Sequence, residues 1–151
     1  MKALNGIRIL DLTHMLSGPY SAMMLADLGA ETIKVEPPKT GEATRRLLER
    51  DPANSLKGFG AFYLTLNRNK KSVTLDLKSE KGLAIFYELV KMADVVINNF
   101  SAGVTARLKI DYAHLSQINP RIITCTITGF GETGPGKDRT AFDCSRATSA
   151  L

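Results

Sequence analysis

Cysteine and histidine are scarce in this sequence, which has two of each among its 151 residues. No pair among Cys125, Cys144, His14 and His114 has the spacing of metal ligands, so we expect no metal site. Cys125 lies inside an apolar run, where we expect it to be a small buried hydrophobic side chain. The low cysteine content also agrees with the cytoplasm, which is the location we expect.

Long apolar runs and aromatic-rich basic segments are absent as well. No hydrophobic stretch approaches the length of a membrane span, so we expect no membrane partner. The net charge is +5, with basic residues concentrated between 45 and 50 and between 68 and 81. Residues 67–81 contain no aromatic side chain on which bases could stack, which argues against nucleic acid. The positive charge leaves two interpretations open, a solvent-facing surface or a site for a phosphate-bearing small molecule.

Strand-like and helix-like patterns alternate along the chain. Short apolar runs typical of buried strands occur at 7–12, 32–36, 73–77, 95–97 and 122–127. Helical spacing predicts helices over 22–28, after Ser79, over 103–109 and over 111–118. We expect Gly29 to stop the first helix and Ser79 to cap the second, in which Gly82 would be a weak point. This order predicts an α/β fold, an open and mainly parallel sheet of about five strands with flanking helices.

Residues 37–60 interrupt this alternation and are expected to hold at most one short helix. Right-handed crossovers should bring the loops that follow the strands to one edge of the sheet. These loops are 14–18, 37–38, 98–101 and 129–136, together with Lys78. We expect them to lie near one another, at the edge where α/β proteins place their ligands.

The last of these loops carries a glycine-rich pattern. Residues 129–134 read GFGETG, which satisfies the G-x-G-x-x-G fingerprint of dinucleotide sites. In such sites the third glycine lies in a helix, and the turn follows the first strand of the sheet. Here Gly134 is followed by PGKDR, which offers no amphipathic helix, and the turn follows the last strand. The residues around the pattern therefore argue against a nicotinamide or flavin site.

Two side chains near these loops could carry chemistry. His14, at the end of the first strand, could donate a hydrogen bond to a ligand carbonyl or titrate near neutral pH. A loop histidine satisfied by the backbone is an equally good interpretation. Asp143 is a carboxylate downstream of the glycine loop, and could contact a ligand or cap a helix. From the residues alone, capping is favoured.

A series of motifs runs in order over nearly the whole chain. They are GIRILDLTH at 6–14, SGP at 17–19, LGAETIKVE at 28–36, LNRNKKSVTLDLK at 66–78, NF at 99–100, NPRII at 119–123 and TGFGETGP at 128–135. Together they resemble the family III CoA-transferases, which include formyl-CoA transferase, carnitine CoA-transferase and α-methylacyl-CoA racemase. Agreement of several separate motifs is far more specific than any single pattern.

The resemblance implies that residues 1–151 are part of a Rossmann-like large domain that binds coenzyme A (CoA), in an interlocked homodimer. The positions that match CoA-contacting segments of the family are Leu16, Ser17, Leu75, Asp76, Leu77, Lys78, Asn99, Phe100, Ser101, Arg107 and 140–143. In this alignment Lys78 and Arg107 would oppose phosphates, and Phe100 would pack on the adenine. His14 and Asp143 would line the substrate pocket.

The resemblance also implies a mechanism, in which CoA moves from an acyl-CoA to a small carboxylic acid through an aspartyl anhydride and an aspartyl thioester. In the family the aspartate nucleophile lies beyond the position of Leu151, so we expect no catalytic residue in this chain and no turnover by it alone. Two alternatives stay open, a racemase that abstracts an α-proton and a non-catalytic CoA-binding fragment. Phe142 favours the transferase, because a histidine there would favour the racemase.

Overall fold

A computed structural model describes residues 1–139 and 141 of the chain. The strands are β1 (Arg8–Asp11), β2 (Glu31–Glu36), β3 (Ser55–Leu56), β4 (Phe59–Gly60), β5 (Lys70–Thr74), β6 (Val95–Asn98) and β7 (Ile123–Thr126). The helices are α1 (Ser17–Asp27), α2 (Ala61–Leu66), α3 (Glu80–Lys91), α4 (Val104–Arg107) and α5 (Tyr112–Ile118), and a 3-10 turn covers Ala43–Arg45. None of these helices is long and apolar enough to cross a membrane.

Five of the strands form one sheet in the order β5-β2-β1-β6-β7, and β3 and β4 form a separate two-stranded sheet. Every neighbouring pair in the large sheet is parallel. The expected α/β fold with a mainly parallel sheet is therefore confirmed, and the strand order, which the sequence left open, is now known. Because β1 lies at the centre of the sheet, the loop that follows it lies between the loops that follow β2 and β6.

Helices cover both faces of the sheet. The larger core lies on the side of α3 and α5, and its buried members include Leu10, Val96, Phe86, Val90 and Leu115. The smaller core lies on the side of α1, and contains Ile9, Ala30 and Ile97 with Leu25 packed against them. A parallel sheet buried on both faces accounts for the short, nearly continuous apolar runs in the sequence.

The ends of two helices follow the sequence closely. Gly29, at φ +107°, comes directly after the last turn of α1, as expected of a glycine that stops a helix. The Ser79 side chain caps α3 by accepting a hydrogen bond of 3.1 Å from the backbone amide of Gly82. A Cβ at Gly82 would collide with the carbonyl oxygen of Asp76, so close packing requires the glycine at this position whatever it costs in helix propensity.

Two further local expectations differ from the structure. Strand β5 covers Lys70–Thr74 rather than 73–77, because its pairing with β2 aligns Lys70 with Thr32. Helix α2 has no counterpart in the sequence analysis, since Phe62 and Leu64 are both more than a third exposed and the segment has no single apolar face. The stretch 37–60 holds one 3-10 turn, in line with the expectation of one short helix at most.

The expected burial of Cys125 is wrong, because its side chain is exposed. Among the described residues, strand β7 is the last strand of the sheet and pairs on one side, with β6. Residues at every second position of β7 face solvent. Ile123 is 61% exposed, and Cys125, two residues further, lies on the same face of the strand.

Candidate functional site

The loops after β1, β6 and β7 meet at the carboxyl edge of the sheet and enclose a cavity of about 250 Å³. Its lining consists of His14, Met15 and Ser17, residues 99–102, residues 127–131, Lys137, Arg139 and Ala141. Lys78 and the loop 37–38 do not line it, because they follow β5 and β2, on the far side of β1. All five loops follow the carboxyl ends of parallel strands and so lie at one edge of the sheet, as expected from the sequence, and three of them line this cavity.

His14 is held in the cavity by the loop that follows β6. Its backbone amide donates to Oδ1 of Asn99 at 2.9 Å, and its carbonyl accepts from Nδ2 of Asn99 at 2.7 Å. Its imidazole faces the ring of Phe100, with 6.1 Å between the ring centroids. Sequence motifs 85 residues apart are joined here by a reciprocal pair of hydrogen bonds. His14, Asn99 and Phe100 therefore form one rigid unit of the wall.

The electrostatic surroundings favour a neutral His14. Burial lowers the pKa of the imidazole below its ordinary 6.5, and the charge of Lys34 lowers it further. The carboxylates of Glu42, Asp11 and Glu36 act in the opposite direction without restoring the ordinary pKa. At neutral pH the ring can therefore donate one hydrogen bond and accept another.

Beneath this wall, charged side chains replace apolar ones on the α1 side of the sheet. The carboxylate of Asp11, which is fully buried, accepts from Nζ of Lys70 at 2.8 Å and lies 3.5 Å from Nζ of Lys34. It also accepts from the Thr13 backbone amide at 2.9 Å, and the Lys34 ammonium donates to the Thr13 carbonyl at 2.7 Å. Burial alone would raise the pKa of Asp11, but these lysines and hydrogen bonds lower it below its ordinary range.

A second buried carboxylate continues this layer along β2. Glu36 accepts from Nε of Arg45 at 2.6 Å, from Nη2 of Arg45 at 2.7 Å and from the Ser72 hydroxyl at 2.7 Å. Burial opposes its ionisation, yet these donors and the Glu42 amide lower the pKa of Glu36 to about 2. The same guanidinium lies 4.0 Å from the ring centroid of Tyr63, whose pKa burial and Glu36 raise to about 12. Buried charges of this layer are thus paired and hydrogen-bonded, which lets it support the loops above.

The glycine loop after β7 supplies the opposite wall. Gly131 has φ +87°, a conformation that side chains rarely permit, and a Cβ on Gly129 would collide with that of Ala141. The Arg139 guanidinium lies 4.5 Å from the ring centroid of Phe130, and Lys137 adds a second cation to the lining. Among the described residues of the lining there is no carboxylate. The cavity is therefore suited to an anionic ligand with an aromatic or apolar part.

The structure brings together some of the site residues named from the sequence. His14, Ser17, Asn99, Phe100 and Ser101 line the cavity. Leu16 instead borders a separate, mainly apolar cavity, whose other lining residues are Leu48, Asn54, Ala61, Phe62, Thr65 and Leu66.

The remaining site residues lie outside the cavity lining. The segment after β5 begins with the buried Leu75, which belongs to the same core cluster on which Phe100 packs. In that segment the Asp76 side chain accepts from the Lys78 amide at 3.0 Å, and Lys78 is exposed. Arg107, at the end of α4, extends back over Gly103, close to the loop after β6. Asp143 lies outside the described residues.

Sequence reasoning missed several residues of the wall, namely Met15, Phe130, Lys137 and Arg139. Lys137 and Arg139 could have been identified from the sequence, since both directly follow the glycine loop. Residues 137–139 entered the sequence analysis only as evidence against a helix. Met15 gives no signal in sequence, because its place depends on a left-handed turn at φ +71°.

Comparison with known proteins gives a consistent result. The model of the family described as CoA-transferase family III matches residues 4–149. A succinate–glutarate CoA-transferase of Agrobacterium fabrum is 43% identical over 144 residues, which cover 93% of this chain and 36% of the relative. A formyl-CoA:oxalate CoA-transferase of Afipia carboxidovorans is 46% identical over 138 residues, covering 91% of this chain and 31% of the relative. The chain thus spans about a third of the length of these curated relatives.

Solved structures agree with this result. A crystal structure of a CAIB/BAIF family protein from Brucella suis superposes with a TM-score of 0.86 at 40% sequence identity. The match covers 95% of this chain and 38% of that protein.

Proposed function

The chain belongs to CoA-transferase family III, and from this premise we propose that the full-length protein transfers CoA from an acyl-CoA to a small carboxylic acid. The observation that carries the proposal is the cavity after β1, β6 and β7, which presents Lys137 and Arg139 and no carboxylate among its described lining residues. CoA carries a pyrophosphate and a 3′-phosphate, so it is an anion that such a lining would attract.

The individual wall residues fit parts of CoA. Phe100 offers an aromatic face for the adenine, and Lys137 and Arg139 offer charge-assisted hydrogen bonds to phosphates. Gly129 and Gly131 keep the backbone free of side chains at the point where a phosphate or the pantetheine arm would pass. Arg107, next to the loop after β6, could reach a phosphate that extends beyond the cavity.

The proposed chemistry is covalent and uses an aspartate beyond residue 151. Its carboxylate attacks the acyl-CoA carbonyl, forming a mixed anhydride and releasing CoA thiolate. The thiolate attacks the aspartyl carbonyl, so the donor acid leaves and an aspartyl thioester forms. The acceptor carboxylate then attacks this thioester, giving a second anhydride and thiolate. Attack of that thiolate on the acceptor's acyl carbon yields the new acyl-CoA and regenerates the aspartate.

In this scheme the described residues bind and orient. His14, neutral and fixed against Asn99, would donate a hydrogen bond to a carbonyl oxygen of the bound thioester. Asp143 would line the substrate pocket. Residues 1–151 would be the first part of the CoA-binding large domain, with the nucleophile supplied by the rest of the protein, and we propose an interlocked homodimer in the cytoplasm as the working form.

A racemase of the same fold is the competing activity. The relatives reported above are transferases, and Phe142 is not the histidine that a racemase would place there. Both observations favour transfer.

The test uses the full-length protein with a panel of acyl-CoA donors and carboxylic acids. We expect a new acyl-CoA to appear only when both are present. Mass spectrometry of the protein mixed with donor alone should detect a CoA adduct on an aspartate beyond residue 151, released by hydroxylamine. Exchange of the donor's α-proton in heavy water without any transfer would instead identify a racemase.

A further inference from the structure

Glu42 stands out among the buried charges because its surroundings differ from those of Asp11 and Glu36. Its side chain is fully buried, yet no lysine or arginine of the described residues lies within ion-pair distance of its carboxylate. A buried carboxylate without a cation needs hydrogen-bond donors to offset its desolvation. Those donors come from loops, and one of them belongs to the cavity wall.

Both oxygens of Glu42 are used. Oε1 accepts from the backbone amide of Met15 at 2.8 Å, and Oε2 accepts from the amide of Thr44 at 3.1 Å and from its hydroxyl. The backbone of Glu42 is tied down in turn, since its amide donates to Oε2 of Glu36 at 2.8 Å. Because Arg45 holds Glu36 with two hydrogen bonds, the backbone of Glu42 is anchored to the buried layer.

The partner of Glu42 in the wall is a strained residue. Met15 has φ +71°, in the left-handed region that costs a residue with a side chain roughly 1–2 kcal/mol. Such a conformation persists when the surroundings over-determine it. The charge-assisted hydrogen bond from the Met15 amide to Glu42 compensates that cost, and it orients the peptide that links Met15 to His14.

Three elements therefore meet at this turn. The Thr13 carbonyl is held by Lys34 of β2, the His14 peptide groups by Asn99 after β6, and the Met15 amide by Glu42. Oε1 of Glu42 also lies 4.0 Å from Nδ1 of His14. Lysine and asparagine fix the start of the turn, and Glu42 fixes its end.

We propose that Glu42 is a positioning residue of the cavity, whose buried carboxylate holds the left-handed turn at Met15 and thereby fixes where His14 stands. Its consequence for CoA transfer rests on the proposed function, whereas its consequence for the turn does not. The neighbouring charges that face His14 are Lys34 and Asp11 from the strands, Glu36 at the end of β2, and Glu42 itself.

The test uses nuclear magnetic resonance on the 151-residue chain, in which His14 and His114 are the two histidines. Glu42→Gln keeps the size and an acceptor oxygen but removes the charge, and Glu42→Ala removes both. Because the Glu42 charge raises the pKa of His14, we expect that pKa to fall in Glu42→Gln. His114, which pairs with Asp111 and makes no contact with Glu42, serves as the internal reference, because its signals should be the same in wild type and variants.

The amide signal of Met15 gives the second readout. It should shift in Glu42→Gln and lose its protection from hydrogen exchange in Glu42→Ala. Glu49→Gln, in the same segment but paired with the exposed Arg50, is the matched control and should change neither signal. An unchanged His14 pKa in Glu42→Gln would overturn the proposal. So would rapid exchange of the Met15 amide in the wild-type chain, a measurement that needs no variant to fold.

A CoA titration of the same proteins separates the two proposals. If CoA binds the wild type and Glu42→Ala binds it several-fold more weakly, both proposals hold. If no protein binds CoA while the His14 and Met15 signals respond as expected, the assignment of this cavity to CoA fails and the positioning role of Glu42 stands.

Discussion

Replacing Gly82 with alanine sets two effects of known size against each other. Alanine is favoured over glycine in helices by up to about 1 kcal/mol, and Gly82 is the third residue of α3, so propensity alone predicts that Gly82→Ala stabilises the protein. The added Cβ, however, would collide with the Asp76 carbonyl oxygen and lie 2.8 Å from its carbon and 3.0 Å from Oγ of Ser79. The obstacle is backbone, which cannot rotate away as a side chain can.

We expect the steric cost of the added Cβ to exceed the gain in helix propensity. The Asp76 carbonyl accepts from the amide and the hydroxyl of Ser79, so moving it disturbs the cap of α3 as well. Overpacking of this kind costs up to about 3 kcal/mol. After the gain in propensity is subtracted, we expect Gly82→Ala to lower the free energy of unfolding by up to about 2 kcal/mol.

Urea denaturation followed by circular dichroism measures this difference. Lys81→Ala is the control, since residue 81 is exposed in the same helical turn and its replacement should change stability by less than about 0.5 kcal/mol. A Gly82→Ala variant that is more stable than wild type would refute the packing argument.

Three further outcomes are expected. The pKa of Glu36 is lowered from 4.5 to about 2 in the folded state, so its ionised form stabilises the fold above pH 4.5 and this stabilisation is lost as the pH falls towards 2. Urea titrations at several pH values should therefore show a loss of about 3 kcal/mol from this group in acid, and Glu36→Gln should remove that part of the pH dependence. Asp11→Ala leaves the buried ammonium groups of Lys34 and Lys70 without their carboxylate, and should cost about 3–5 kcal/mol by the same measurement, whereas a loss below about 1 kcal/mol would contradict the buried pairing. The 151-residue chain should show no CoA transfer between acids, and clear turnover by it would direct attention to Asp143 as the nucleophile.

The sequence predicts which helices and strands form better than it predicts which strands pair and which residues are covered by other elements. Ser79 and Gly29 carry local signals, a cap and a helix stop, and both act as expected because capping depends on neighbouring residues only. The apolar pattern places β5 three residues too late, because the true bounds of this strand depend on its pairing with β2. Lys70 begins the strand, and its ammonium group donates a hydrogen bond to Asp11, which is 59 residues away in sequence. Cys125 has the pattern of a buried residue, but burial requires a covering element that sequence does not reveal.

In the candidate site, too, some residues could be predicted from the sequence and others could not. His14, Asn99 and Phe100 could be named from motifs, while the strand order that brings their loops together could not be read from the pattern. The buried layer under them was missed, although Lys34 and Glu36 alternate within an apolar strand. Charged residues at every second position of an otherwise apolar strand are the signal that could have identified it.

The most direct test of the account is a calorimetric titration of CoA into the 151-residue chain and its variants. We predict measurable binding by the wild type, and binding weaker by roughly tenfold in Lys137→Ala and in Arg139→Ala, since each loses a charge-assisted hydrogen bond to a phosphate. Lys91→Ala removes an equal charge from α3, where Lys91 pairs with Glu88, and should bind as the wild type does. Equal affinity in all four proteins, or no binding by any of them, would contradict the assignment of this cavity to CoA.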